Sequence, residues 1–79
     1  MDSLGHLRQL VALADTGNFR KAGQKLGISH SAVSQTIKRL EAEHGTELFD
    51  RTRHDGSRNE TVPTALGERI IAAARSAIN

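Results

Sequence analysis

Ser31, Ser34, Gln35 and Lys38 fall within eight consecutive residues of this chain. At about 100° per residue they cluster on one side of a helix. Val33, Ile37 and Leu40, spaced i, i+4, i+7, occupy the other side. A solvated helix face more often carries Glu and Lys pairs. This one is small, polar and rich in donors. Ser and Gln hydrogen-bond to base edges, and Gln pairs twice with adenine. Lys38 suits a phosphate. The plainer alternative is a face that only meets water. Nucleophilic chemistry fits poorly. Ser31 and Ser34 lie near His30, but no Gly-x-Ser-x-Gly elbow and no orienting acid accompanies them. His6, His30, His44 and His54 lack the His-x-x-x-His spacing of a metal helix, and His44 falls on the inner side of its segment, at the edge of the core. No Gly-rich phosphate loop is present. The expectation is therefore a binding domain and not an enzyme, with no metal and no cofactor.

Two short helices must position those side chains. Phe19, Ala22 and Leu26 share one face of the first. Gly27 supplies the positive φ that a sharp helix stop prefers, and Ser29 is placed to cap the second. The pair reads as a helix-turn-helix, whose second helix enters the major groove of DNA. All five charged residues from Phe19 to Leu40 are basic: Arg20, Lys21, Lys25, Lys38 and Arg39. Glu41, Glu43, Glu47 and Asp50 follow with no Lys or Arg among them, and read as a solvated face far from any DNA.

The remaining segments complete one small unit. A helix over about 3–16 buries Leu4, Leu7, Leu10, Val11 and Ala14, and Gly17 ends it. Asn18 caps the next helix, over 19–26, and a third runs over about 30–44 to a stop at Gly45. Leu48-Phe49 is a short apolar anchor. Asp55-Gly56 is a hairpin turn signal, and Glu60 to Val62 is the expected returning strand. Thr64 caps a fourth helix over about 65–78. The fold class is mainly α: a winged helix-turn-helix with a three-helix core, a short two-stranded wing over about 48–62 and a C-terminal helix.

The chain has 79 residues, a formal charge of +2 and no cysteine. A chain of this length forms one domain with a small core. Neither disulfides nor thiolate metal sites can help it, which fits a reducing cytoplasm. Basic residues gathered on a nearly neutral domain suit a polyanion partner. No run approaches the roughly 18 apolar residues of a membrane span, and the N-terminus lacks the apolar stretch of a signal peptide. The fourth helix is unusually apolar. Leu66, Ile70, Ala73 and Ala77 form one stripe; Ile71, Ala74 and Ile78 form a second beside it. One stripe suffices to pack on the domain. The second suits a second subunit, or a helix tucked deeper into its own fold.

These pieces, in this order, resemble the N-terminal DNA-binding domain of the LysR-type regulators. The residues are Phe19-Arg20-Lys21-Ala22, Leu26-Gly27-Ile28-Ser29, Ala32-Val33-Ser34-Gln35, Ile37 and Arg39-Leu40-Glu41. Gly45, Leu48-Phe49, Asp50-Arg51-Thr52 and Pro63-Thr64-Ala65-Leu66-Gly67 follow. The resemblance covers nearly the whole chain. It implies a cytoplasmic bacterial transcription regulator that binds interrupted palindromes in double-stranded DNA. It divides the chain into a winged helix-turn-helix over 1–62 and, over 63–79, the start of a linker helix that forms a homodimer.

By the same resemblance His30, Ser31, Ser34 and Gln35 read bases, and Arg20, Lys21, Lys38 and Arg39 meet the DNA backbone. Arg53 and Arg58 are the wing candidates for the minor groove, Arg58 the foremost because it lies past the turn. Leu66, Ile70, Ile71, Ala74 and Ile78 are the implied dimer contacts. Several positions depart from the family pattern. A Gln-Pro pair is common where His30-Ser31 stands, an Arg where Gln35 stands, and a small hydroxyl residue where Arg20 stands. The wing is also several residues longer than usual. Family members continue into an effector-binding domain of two α/β lobes, so this chain is expected to be a fragment, and a small-molecule inducer would act only through that further domain. The rival readings are a winged helix that docks proteins, which asks for an apolar outer face on the third helix, and a stand-alone architectural DNA binder, which asks for stronger positive charge.

Overall fold

The structure, a computed structural model, describes residues 3–50 and 61–78. Its elements run α1 (Ser3–Thr16), α2 (Phe19–Leu26), α3 (His30–His44), β1 (Phe49–Asp50), β2 (Val62–Pro63) and α4 (Ala65–Ile78). Each helix begins or ends where a side chain or a glycine satisfies its free backbone groups. Asn18 Oδ1 accepts from the Lys21 N–H at 3.0 Å and opens α2. Gly27, at φ 73°, closes it in the left-handed region. Ser29 Oγ accepts from the Ala32 N–H at 3.1 Å and opens α3. Thr64 Oγ1 accepts from the Gly67 N–H at 3.1 Å and opens α4.

The core lies where α1 meets the other three helices and the base of the wing. Leu10, Leu13, Val33, Ile37, Leu48 and Phe49 are fully enclosed. Leu7, Val11, Phe19, Leu26, Leu40 and Leu66 close over them. Each large side chain enclosed this way contributes roughly 1.5–3 kcal/mol. Two glycines permit close approaches that a side chain would block. A Cβ on Gly23 would stand 2.6 Å from the Ile28 carbonyl oxygen, so the helix-turn-helix turn folds tightly onto α2. A Cβ on Gly67 would run into the Leu48 carbonyl, so α4 lies directly on the residues before β1.

The wing's base is a two-stranded antiparallel ribbon, with Phe49 opposite Pro63 and Asp50 opposite Val62. The sequence places the returning strand over 60–62, and the structure has it at Val62–Pro63. Thr61 is diverted to other partners. Its N–H donates to the Gly17 carbonyl at 2.8 Å, and its hydroxyl donates to the Asp50 carbonyl at 3.0 Å. Pro63 is tolerated because it sits on an edge strand, where no ladder N–H is required of it.

Helix α4 corrects part of the sequence reading. Ile71 and Ala74 are only 6% and 1% exposed and belong to this chain's own core. They are not available to a second subunit. Gly67, Ile71 and Ala74 follow at i, i+4, i+7, and the missing side chain at Gly67 lets that face press inward. Leu66 and Ile70 are half-buried at its edge, Ala73 and Ala77 are exposed, and Ile78 is half-buried at the helix end. His44 also departs from expectation. It is exposed, beyond the enclosed part of α3, with Nδ1 3.0 Å from the Leu40 carbonyl oxygen.

Candidate nucleic-acid interface

The polar side of α3 is open. His30, Ser31, Gln35 and Lys38 are exposed and Ser34 is half-buried. Val33 and Ile37 on the opposite side are fully enclosed. The helix is thus held by its apolar side and offers hydroxyl, amide, imidazole and ammonium groups on the other. Ser31 to Lys38 covers about 10 Å of helix axis, the length of roughly three base steps. His30 and Ser31 occupy the first turn, where free backbone N–H groups add partial positive charge.

Arg20 and Lys21 are exposed in the first turn of α2, and Arg39 is exposed on α3. No ion pair among the described residues engages Arg20, Lys21, Lys38 or Arg39. These four cations are consequently not neutralised by a described acid. Lys25 differs. Its Nζ lies 3.5 Å from Asp15 Oδ2, and Arg75 of α4 donates to Asp15 Oδ1 at 2.6 Å. The Arg75 hydrogen bond, above all, holds the Asp15 carboxyl below its ordinary value. Partial burial opposes this, and the charges of Arg75 and Lys25 assist it.

The acids that follow α3's basic face are not all a solvated surface. Glu43 and Glu47 are exposed, but Glu41 is half-buried. Glu41 Oε2 accepts from the Leu48 N–H at 2.9 Å and the Phe49 N–H at 3.3 Å. Composition hides this role, because the partners are backbone groups seven and eight residues away. The one advance signal is that Ile37 and Glu41, at i and i+4, share a face.

Arg53 and Arg58, the wing candidates, lie outside the described residues. Among the described residues no group of three His, Asp or Glu side chains could hold a metal ion. No helix there is long and apolar enough to cross a membrane.

Known proteins share both sequence and shape with this chain. The pattern described as "Bacterial regulatory helix-turn-helix protein, lysR family" matches residues 4–68. The small neutral protease regulatory protein of Streptomyces coelicolor is 43% identical over 74 residues, which cover 94% of this chain and 22% of that protein. The lysine export transcriptional regulatory protein LysG of Corynebacterium efficiens is 43% identical over 70 residues, covering 89% and 22%. The chain therefore spans about a fifth of the length of these relatives. Among solved structures, the BenM DNA-binding domain in complex with benA site 1 DNA superposes with a TM-score of 0.82 at 34% identity, covering 96% of this chain and 80% of that one. The CbnR DNA-binding domain in complex with DNA gives 0.84 at 26% identity, covering 96% and 82%.

Proposed function

The chain belongs to the lysR family of bacterial regulatory helix-turn-helix proteins, and we propose that it is the part of a transcription regulator that reads double-stranded DNA. One observation carries this reading. From His30 to Arg39 the outward side of α3 is polar, with basic Lys38 and Arg39, while Val33 and Ile37 on its inward side are sealed in the core. Such a helix is anchored from behind and free to lie in a major groove. Ser31, Ser34, Gln35 and His30 face base edges, and Arg20, Lys21, Lys38 and Arg39 meet phosphates on either side. Arg53 and Arg58 are the residues assigned to the neighbouring minor groove. A protein-docking winged helix calls for large apolar residues on that face, and α3 presents only the small Ala42 there. The reaction it performs is recognition, not catalysis, in the cytoplasm where bacterial DNA lies.

Residues 63–79 begin the dimerising linker. With Ile71 and Ala74 committed to the core, the pairing stripe is Leu66, Ile70, Ala73 and Ala77. Two copies would place their α3 helices in major grooves about 34 Å apart, or a multiple of that. An effector domain and its inducer belong to a longer protein.

The test is selection of bound duplexes from a random pool, repeated across a salt series. A recurrent motif, with affinity falling steeply as salt rises, is expected. Enrichment of no motif, together with salt-independent retention, would end the reading.

A further inference from the structure

The ribbon at the base of the wing is tied to the helix-turn-helix at both strands. On β1 the tie is Glu41 of α3, whose Oε2 takes both the Leu48 and the Phe49 N–H groups. Leu48 and Phe49 are fully enclosed, so in the folded domain that oxygen, and not water, satisfies their amides. Immediately before β2 the tie is Thr61, itself only 4% exposed. Its N–H reaches back to Gly17 between α1 and α2, and its hydroxyl crosses to Asp50 of β1. Thr64 adds a bond from its hydroxyl to the Glu47 carbonyl at 2.9 Å. The ribbon's place relative to α3 is therefore set by specific polar bonds as well as by packing.

We propose that Glu41 is a positioning residue for DNA binding. It fixes the offset between the groove entered by α3 and the flanking duplex met by the ribbon. This rests on the DNA-reading function above. A single oxygen serves both amides, so the requirement is for an acceptor and not for a negative charge. Glutamine supplies that acceptor and alanine does not.

The experiment is hydroxyl-radical footprinting of the 79-residue chain on a duplex selected by the parent from a random pool. The parent is expected to protect a centre and its flanks. Glu41→Ala should keep the centre and lose the flanks, with the salt slope falling by about one for each phosphate the protein no longer meets. Glu41→Gln should restore the flanks. A simple loss of folded protein dims centre and flank alike, so the split separates positioning from stability. Flanks intact in Glu41→Ala would overturn the proposal. So would a Glu41→Gln pattern like that of alanine, or centre and flank fading together while helix content stays native. If Glu41→Ala does not fold, Glu41→Leu keeps much of the side chain's bulk and removes only the acceptor. It should weaken the flanks alone, and unchanged flanks there overturn the proposal equally. A parent that protects no duplex defeats the DNA reading itself, which is a separate outcome.

Discussion

Gln35 is the residue on which base specificity is most exposed to test. It is solvent-accessible at the centre of α3's polar side, and its amide can donate and accept at once. A bidentate pairing with adenine contributes roughly 1–3 kcal/mol of discrimination. Gln35→Ala is therefore predicted to lose that amount at one base position while the other positions keep their preference. Site selection with the variant measures it, and an unchanged motif would remove Gln35 from the reading set. Exposed Glu43, one turn beyond the basic residues, is the matching control and should leave the motif intact when changed to alanine. Ser31, Gln35 and Lys38 were legible in the sequence because a helix converts spacing into direction. Glu41 was not. Its function depends on the path of the chain through Leu48 and Phe49, which no periodicity encodes.

At the scale of elements, α4 shows what patterning decides and what it leaves open. Its length and its Thr64 cap follow from local chemistry, and both match the sequence expectation. Which apolar stripe faces inward does not follow, because Leu66-Ile70-Ala73-Ala77 and Ile71-Ala74-Ile78 are equally plausible ridges. Gly67 decides between them. Its missing side chain admits the Leu48 carbonyl and turns the Gly67-Ile71-Ala74 face to the core. Two substitutions on adjacent residues separate packing from pairing. Ile71→Asp places an unpaired carboxylate in the core and is predicted to destabilise the domain by more than about 3 kcal/mol. Ile70→Asp lies at the half-buried edge and should cost the isolated fold far less while abolishing self-association. Urea denaturation and sedimentation velocity read the two effects. A folded Ile71→Asp, or an Ile70→Asp that still pairs, would show the faces to be assigned wrongly.

For the molecule as a whole, Asp15 joins three elements that sequence separates widely. It sits at the end of α1, accepts from Arg75 of α4 at 2.6 Å and lies 3.5 Å from Lys25 of α2. The partners are ten and sixty residues away, so no local pattern announced the junction. The folded carboxyl titrates below its ordinary value of 3.8, chiefly through the Arg75 hydrogen bond. A depressed acid stabilises the folded state above the unfolded pKa. That contribution disappears as pH falls through the lower, folded value. The side chain is 34% exposed and screened by water, so its worth is about 0.3–1 kcal/mol. Asp15→Asn is predicted to cost that amount near neutrality. The gap from the parent should close as pH falls below about 4, and it should shrink in high salt. Urea midpoints measured between about pH 2 and 7 give the comparison. A gap that persists undiminished at the acid end would mean the junction holds by shape and not by charge.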